Sequence, residues 1–207
     1  KLIDDLYICC DDKKIFNVAK KFGAKVIMTS SHHNNGTERI YEAYKKIKKK
    51  YDLIIDIQGD EPLINPIHID NVIEFHKKNK STDIILPHIK MKYGDNHNIV
   101  KLLTDIKDNV IYLSRTKLPL EFKQINKSYK KHLSIISFKP DALKKFHSSK
   151  RTPLEKSEDV ELLRALEIGL EIKTLPLRGD SFSIDIFDDY KKAIEKFKID
   201  KISKKYR

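Results

Sequence analysis

The chain has 207 residues, of which 40% are hydrophobic and 35% charged, and it carries a formal net charge of +12 at pH 7. The apolar fraction is too high for an intrinsically disordered chain, and six glycines and seven prolines are too few for a collagen-like or low-complexity protein. Since no stretch approaches the ~20 uninterrupted apolar residues that a membrane span requires, we expect a soluble, cytoplasmic protein that forms a single domain over residues 1–207.

The positive charge comes mainly from lysine, because only six of the 42 basic residues are arginine. Arginine is the side chain best suited to forked contacts with phosphates and base edges, and the lysines are spread along the whole chain. We therefore expect no nucleic-acid partner and no membrane partner, with a nucleic-acid-binding module as a less favoured alternative. The same charge is compatible with the attraction of small anionic substrates such as nucleotides.

Short apolar runs alternate with helical patterns over the first 90 residues. Strands are predicted at residues 6–10, 25–28, 53–57 and 83–86, and two of the intervening helices at about 37–50 and 66–78. Asp11 or Asp12 is expected to cap the first helix, which places four residues on one apolar face, namely Ile15, Val18, Ala19 and Phe22. This alternation predicts an α/β fold with a doubly wound, mostly parallel sheet.

The middle of the chain, roughly residues 87–139, is less regular. Short strands are predicted there at residues 100–103, 110–113 and 133–138. This smaller β-rich region is expected to form a flap or a dimerisation arm. A final helix places Tyr190, Ala193, Ile194 and Phe197 on one face.

An acidic motif, Gln58-Gly59-Asp60-Glu61-Pro62, directly follows the apolar run at residues 53–57. Ligands of open α/β sheets bind at the carboxyl ends of the strands, and Asp60 offers a hard oxygen ligand of the kind that Mg²⁺ prefers. An ordinary turn is an equally good interpretation, because Gly-Asp and Glu-Pro are common turn dipeptides.

A second motif, Asn35-Gly36-Thr37-Glu38-Arg39, lies at a junction between a loop and a helix. Its main-chain N–H groups and the positive end of the helix suit an anion or a base edge, with Arg39 in the first turn. The alternative is that Thr37 simply caps the helix.

A third candidate is Asp185, which lies among apolar residues just ahead of the last helix. A buried carboxylate there needs a partner or a metal ion, and its natural companion is Asp60 as a second Mg²⁺ ligand. The alternative is a turn carboxylate bonded to nearby main-chain N–H groups. A lone histidine such as His132 is more often structural than a ligand.

The ordered set of these segments resembles the 3-deoxy-manno-octulosonate cytidylyltransferase family (CMP-Kdo synthetases), relatives of the acylneuraminate cytidylyltransferases. The resemblance extends from about Asp5 to Ala193 and includes the three motifs above. Its other matching stretches are Met28-Thr29, Asn98-Ile99-Val100-Lys101, Tyr112-Leu113-Ser114-Arg115, His132-Leu133, Pro153-Leu154-Glu155 and Leu163-Arg164-Ala165-Leu166. The resemblance implies a fold of the nucleotide-diphospho-sugar transferase type and, usually, a homodimer.

The resemblance also implies a reaction and a set of site residues. The family transfers CMP from CTP to the anomeric hydroxyl of a 3-deoxy-2-ulosonic acid, with release of pyrophosphate, in lipopolysaccharide biosynthesis. By this resemblance the catalytic residues Asp60 and Asp185 hold Mg²⁺ between the sugar and the α-phosphate. The implied nucleotide contacts are Asn35, Gly36, Thr37 and Arg39. The implied sugar-acid contacts are Gln58, Arg115, His132 and Glu161, of which Arg115 is expected to pair with the carboxylate.

The chain departs from the family pattern at its start and around the sugar. Family members begin with a strand and a basic, Gly/Ser-containing loop that grips the triphosphate, and this chain lacks both, so we expect an N-terminally truncated domain. Ile136 stands in place of a tyrosine, Ser134 of a glycine and Leu162 of a glutamine. These changes favour the same reaction with a modified acceptor, such as 8-amino-Kdo or a nonulosonic acid. A non-catalytic nucleotide- or sugar-binding remnant is the alternative from a different class.

Overall fold

The computed structural model describes residues 2–92, 96–123, 128–179, 181–202 and 204. Its helices are α1 (Lys13–Lys21), α2 (Gly36–Ile47), α3 (Pro66–Lys78), α4 (Pro140–Ser148), α5 (Pro153–Glu158), α6 (Leu162–Glu167) and α7 (Phe187–Ile199). Its strands are β1 (Ile8–Cys10), β2 (Val26–Met28), β3 (Ile54–Ile57), β4 (Ile84–Lys92), β5 (Lys101–Thr104), β6 (Val110–Ser114), β7 (Ser128–His132), β8 (Ile135–Phe138) and β9 (Ile172–Pro176).

The strands form two sheets. β1 and β2 pair in parallel, and the other seven strands form a second sheet in the order β3-β8-β4-β7-β5-β6, with β9 paired to β4. The α/β class is confirmed, but the larger sheet is mixed where a mostly parallel sheet is expected from the sequence. The reason is that β8 runs antiparallel between β3 and β4, and that β5, β6 and β7 join through antiparallel pairs.

Helices cover both faces of the larger sheet. Because alternate residues of a strand point to opposite faces, Ile84 of β4 packs with α4 and α6, whereas Ile85 packs with α3. The first cluster contains Phe138 and Phe146, both fully buried. This two-sided burial is the doubly wound arrangement that the apolar strands predict.

The β-rich middle region belongs to the larger sheet and does not form a separate arm. β5, β6 and β7 extend this sheet at one end, and β7 is a strand that the sequence patterns do not predict. Within the described part of the chain, no helix is long and apolar enough to cross a bilayer.

The apolar face predicted for α1 is uncovered. Asp12 caps this helix through its side chain, as expected, and Ala19 is buried. Ile15, Val18 and Phe22 are nevertheless 52%, 57% and 82% exposed. The helical period is therefore predicted correctly, but among the described residues most of the apolar stripe remains exposed.

Candidate functional site

The acidic motif follows the end of β3 and lines a cavity that is also lined by the segment ahead of α7. The main-chain N–H of Ile184 donates to the carbonyl of Asp60 at 2.9 Å, which joins segments far apart in sequence. Asp60 and Asp185 consequently line one cavity of about 560 Å³, which we call the Asp60 cavity. Its other lining residues are Gln58, Glu61, Asn98, Ile99, Val100, Arg115, Lys131, His132, Ser134, Ser183 and Ile186.

The two aspartates interact electrostatically. Partial burial raises the pKa of the Asp60 carboxyl, the negative charge of Asp185 raises it further, and Lys131 opposes the shift. Among the described residues, no group of three or more histidine, cysteine, aspartate or glutamate side chains is arranged to hold a metal ion. Two carboxylates in an open polar cavity nevertheless fit Mg²⁺, which is usually held by one or two carboxylates together with waters and substrate phosphates.

The loop-to-helix motif begins α2, and its cap is Asn35 rather than Thr37. The Asn35 Oδ1 atom accepts a hydrogen bond from the Glu38 main-chain N–H at 2.9 Å. Thr37 is fully buried, and its main-chain N–H donates to Glu161 Oε2 at 3.1 Å. The start of this helix is thus fixed by side chains from two directions.

A second cavity, of about 300 Å³, lies beside the first, and we call it the Glu161 cavity. It is lined by Asn34, Asn35, Gly36, Gln58, Val100, Leu113, Arg115, His132, Ile136, Arg151, Glu155, Asp159, Val160, Glu161 and Leu162. All four residues expected to surround the sugar acid line this cavity, and three of them also line the Asp60 cavity. Gln58 Nε2 donates to Glu161 Oε1 at 3.3 Å, which links two of the four directly.

Two of the predicted nucleotide contacts, Thr37 and Arg39, line neither cavity. Thr37 remains bonded to Glu161, whereas Arg39 lies apart from the other predicted site residues. Its guanidinium donates to Asp11 Oδ2 and to Thr29 Oγ1, both at 2.7 Å. The carboxylate of Asp11 provides a charged partner between β1 and α1, and this pairing holds Arg39 on that side of α2.

The orientation of Arg115 is set by a residue that the sequence motifs do not single out, Glu158. The Glu158 carboxylate accepts hydrogen bonds from Ser114 Oγ at 2.8 Å and from the Arg115 main-chain N–H at 3.1 Å. The Arg115 guanidinium donates to the carbonyls of Glu158, Asp159 and His97 at 2.9, 3.0 and 3.2 Å. These bonds hold the guanidinium beside both cavities. Sequence reasoning misses Glu158 because it lies in a polar stretch that carries no recognisable motif.

His132 and Lys131 are neighbours on β7 with different charge states. Burial lowers the pKa of His132 to about 4, so its imidazole is neutral at pH 7. Lys131 is buried, and its Nζ donates to Ser181 Oγ at 3.0 Å. Lys131 therefore supplies positive charge to the Asp60 cavity, and sequence reasoning misses it because the pattern of β7 is too polar to predict a strand.

The three departures from the family pattern all lie at the cavities. Ser134 is buried in the wall of the Asp60 cavity and donates to Glu61 Oε1 at 3.0 Å. Ile136 and Leu162 are buried apolar side chains in the wall of the Glu161 cavity. The Glu161 cavity thus has apolar surface at two positions where the family pattern has polar side chains.

Asp56 on β3 is a buried carboxyl that the motifs do not single out. It is 3% exposed, and its Oδ2 atom has no hydrogen-bond partner among the described residues. A Cβ atom added at Gly36 would lie 3.6 Å from this oxygen, so Asp56 lies directly beneath the first turn of α2. Burial, together with the charges of Glu161 and Asp60, raises the pKa of Asp56 to about 8. Asp56 therefore keeps its proton at neutral pH.

The substitution Asp56→Asn should stabilise the fold, and the effect should depend on pH. From about pH 4 to pH 8 the folded chain retains a proton that the unfolded chain releases, so Asp56 makes stability fall as the pH rises through this window. We expect Asp56→Asn to raise the free energy of unfolding by roughly 1–3 kcal/mol at pH 8 and by much less near pH 4. Urea denaturation across this range measures the effect. The exposed Asp141→Asn is the control, and a variant less stable than the parent at pH 8 would contradict the assignment.

A buried network of charged side chains connects α2 with α5 and α6. Arg164 of α6 is 1% exposed, and its guanidinium bonds the carboxylate of Glu155 of α5 through two contacts of 2.6 and 2.7 Å. It also lies 2.9 Å from Glu38 of α2 and over the ring of Phe146. Glu155 in turn accepts a hydrogen bond from Asn35 Nδ2 at 3.3 Å. The network thus connects the start of α2 to the helices behind the Glu161 cavity.

Solved structures that resemble this chain establish its fold. One is a CMP:2-keto-3-deoxy-manno-octonic acid synthetase in complex with CTP, with a TM-score of 0.85 and 22% identity over 95% of this chain and 83% of that one. Another is a putative glucose-1-phosphate thymidylyltransferase from Bacillus anthracis, with a TM-score of 0.63 and 13% identity over 92% of this chain and 75% of that one. The expected nucleotide-diphospho-sugar transferase type of fold is confirmed.

Relatives found by sequence are more similar to this chain in sequence than these solved structures are. A 3-deoxy-manno-octulosonate cytidylyltransferase of Fusobacterium nucleatum is 39% identical over 201 residues, which are 95% of this chain and 81% of the relative. The mitochondrial enzyme of the same name from Arabidopsis thaliana is 36% identical over 195 residues, which are 92% of this chain and 67% of the relative. The cytidylyltransferase family model matches residues 1–172. The resemblance drawn from the motifs is confirmed, and the chain belongs to the cytidylyltransferase family.

Proposed function

We propose that this protein transfers CMP from CTP to the anomeric hydroxyl of 3-deoxy-manno-octulosonate (Kdo) or a closely related sugar acid, with release of pyrophosphate. The observation that carries this proposal is the convergence of Asp60, Asp185 and all four expected sugar-acid residues on two adjoining cavities. The names of the relatives, which are Kdo cytidylyltransferases, support the choice of nucleotide and acceptor.

Asp60 and Asp185 are the residues that would hold Mg²⁺. Bound there, the ion would neutralise negative charge on the phosphate as the sugar hydroxyl displaces pyrophosphate. Two observations support the assignment: the carboxylates share a cavity, and each is an oxygen donor of the kind that Mg²⁺ prefers.

The chain's other residues would bind and orient the substrates. Asn35 and Gly36 at the start of α2 lie where the cavity wall offers main-chain N–H groups and the positive helix end to the nucleotide. Arg115 supplies fixed positive charge for the carboxylate of the sugar acid, and Gln58 and Glu161 supply hydrogen-bonding groups for its hydroxyls. His132, neutral at pH 7, would act as a hydrogen-bonding group and not as a cation.

The acceptor is the finer part of the proposal. Ile136 and Leu162 give the Glu161 cavity an apolar wall that favours an altered acceptor, such as 8-amino-Kdo or a nonulosonic acid. The identity to Kdo cytidylyltransferases favours Kdo itself. We place Kdo first because the altered residues remove hydrogen-bonding groups without closing the cavity.

An acceptor screen tests the function. The full-length protein is incubated with CTP, Mg²⁺ and one acid at a time, and pyrophosphate is measured. We expect release with Kdo that exceeds release with 8-amino-Kdo or a nonulosonic acid by at least about tenfold, a modest discrimination for one or two changed contacts. A preference for another acid would select the alternative acceptor. Tight CTP binding without pyrophosphate release from any acid would favour the non-catalytic remnant.

The proposed function also includes an oligomeric state and a cellular role. We propose a homodimer, supported by exposed apolar side chains around the β5–β6 turn and the following loop, where Ile106, Leu120 and Phe122 are 100%, 85% and 86% exposed. Sedimentation velocity at micromolar concentration would detect it. A cytoplasmic role in lipopolysaccharide biosynthesis is the setting in which CMP-activated Kdo would be used.

A further inference from the structure

The segment that carries Asp185 has neither helix nor strand among its described residues. It follows the end of β9 at Pro176 and precedes α7, which begins at Phe187. At its start, the Leu177 main-chain N–H donates to the His88 carbonyl at 2.8 Å, which fixes that end of the segment to β4. Asp185 lies much further along the segment, so its position requires other contacts.

A buried carboxylate of the acidic motif, Glu61, contacts this segment. Glu61 is 5% exposed, and its Oε1 atom accepts a hydrogen bond from Ser181 Oγ at 3.0 Å. Ser181 Oγ lies at the same distance from Lys131 Nζ. Because an ammonium group cannot accept a hydrogen bond and a carboxylate cannot donate one, Lys131 donates to Ser181 and Ser181 donates to Glu61.

This link of three side chains has rigid ends. Lys131 is a buried residue of β7, and Glu61 lies in the motif that follows β3, so both ends belong to the larger sheet or adjoin it. Hydrogen bonds to charged groups are stronger than those between neutral groups, and breaking this link would leave charged groups buried without that partner. The link therefore holds Ser181 at this edge of the sheet.

Ser134, which stands in place of the family's glycine, bonds to the same carboxylate. It directly precedes β8, and its hydroxyl donates to the Glu61 Oε1 atom that Ser181 also contacts. A glycine has no hydroxyl, so this chain fixes the Glu61 carboxylate with a bond that the family pattern lacks. The change at this position therefore acts on the orientation of Glu61.

The main chain provides a second attachment beside Asp185. The Ile184 N–H donates to the Asp60 carbonyl at 2.9 Å. Asp60 and Glu61 are adjacent, so the acidic motif holds the segment through a side chain at Ser181 and through the main chain at Ile184. Asp185 directly follows Ile184 and lines the same cavity as Asp60.

We infer that Glu61 is a positioning residue. Through Ser181 it docks residues 181–186 on the acidic motif, and this docking brings the Asp185 carboxylate within reach of the ion that Asp60 would hold. The role toward the ion rests on the proposed function, whereas the docking itself does not. Glu61 acts through Ser181 and Ile184 and is not assigned as a ligand of the ion.

Hydrogen exchange of the Ile184 amide tests the docking without substrate or metal. In the full-length protein, Glu61→Ala should speed this exchange by at least about fivefold, because the segment loses its hydrogen bond to a charged group and opens more often. Ser181→Ala removes the same link from the other side, should have a similar effect, and provides the test if Glu61→Ala does not fold. The Leu177 amide is the internal control and should not change.

Three further variants separate the hydrogen bond from other effects. Glu61→Gln keeps an oxygen that accepts from Ser181 and should retain most of the protection of Ile184. Ser134→Ala leaves the link to Ser181 in place and should speed the exchange by no more than about twofold. The exposed Glu74→Ala should leave it unchanged. Unchanged Ile184 exchange in Glu61→Ala and Ser181→Ala would overturn the inference, as would equal exchange in Glu61→Ala and Glu61→Gln.

The affinity for Mn²⁺ tests the role toward the ion. Electron paramagnetic resonance measures free Mn²⁺ in the presence of saturating CTP and no acceptor, so that no turnover occurs. We expect Glu61→Ala to weaken Mn²⁺ binding by about tenfold, as for residues that orient metal ligands, and Glu61→Gln to restore most of it. The affinity for CTP measured without metal should stay the same in both variants.

The two readouts distinguish failure of this inference from failure of the proposed function. Faster Ile184 exchange with unchanged Mn²⁺ affinity in Glu61→Ala would overturn the positioning role while leaving the proposed reaction intact. Equal Mn²⁺ affinity in the parent and in Asp185→Ala would contradict the proposed ion site, and the positioning role with it. The docking of the segment would then be decided by the exchange data alone.

Discussion

Replacing either Asp60 or Asp185 with alanine should reduce turnover by at least about 10²-fold, because each change would remove a proposed Mg²⁺ ligand beside the phosphate where negative charge develops. The fold should remain intact, since both side chains are exposed at the cavity and neither is part of the buried core. Pyrophosphate release from CTP and Kdo by the full-length protein measures the effect. Circular dichroism confirms that each variant is folded.

The control for this prediction is Asp188→Asn. Asp188 lies three residues from Asp185, but it is exposed, pairs with Lys191 and does not line the Asp60 cavity. Turnover of this variant should match that of the parent. The double variant at Asp60 and Asp185 should lose little more than either single variant, because the two carboxylates act as one ligand set. Parent-like turnover from either single variant would refute the metal assignment.

The substitution Arg164→Met should lower the free energy of unfolding by about 3–5 kcal/mol, because it removes the buried cation that the carboxylates of Glu155 and Glu38 share. Glu155 is 1% exposed and Glu38 is 9% exposed, so water cannot replace the guanidinium at either group. Urea denaturation measures the loss. If the single variant does not fold, the triple variant Arg164→Met, Glu155→Gln and Glu38→Gln provides the test, since removing all three charges should restore much of the stability.

Arg151 offers a matched control for Arg164. It reaches the same Glu155 carboxylate at 3.3 Å and also contacts Asp159, but its side chain is 32% exposed. Arg151→Met should therefore cost no more than about 1 kcal/mol. Equal losses from the two arginine variants would show that burial does not determine the strength of this network.

Much of the fold follows from local patterns. α3 is predicted with its observed bounds because Pro66 and a regular apolar period define it, and β3 is predicted because its run of isoleucines has no competing period. β7, β9, α4, α5 and α6 are not predicted. β7 carries two adjacent lysines, Lys130 and Lys131, so its pattern is too polar for a strand, and α5 and α6 are too short for a period to be visible. The antiparallel insertion of β8 between β3 and β4 is a long-range pairing that no local pattern encodes.

The position of a site residue is predictable where its motif directly adjoins a helix or a strand. Asp60 follows a strand and Asn35 caps a helix, so their positions at the cavities follow from chain order. Asp185, Arg115 and Glu161 come together only through tertiary packing, and the family resemblance is what connects them. Asp56, Lys131 and Glu158 are missed because each depends on burial or on a partner distant in sequence. Arg39 is placed elsewhere because Asp11 pairs with it.

A crystal structure with CTP and Mn²⁺ in place of Mg²⁺ measures the proposed ion position directly, through the anomalous scattering of manganese. The proposal predicts a single strong peak in contact with a carboxylate oxygen of Asp60, one of Asp185 and the α-phosphate of CTP, and no such peak in the Asp60→Ala variant. A peak bound only to the nucleotide phosphates, with both aspartates out of contact, would contradict the proposal.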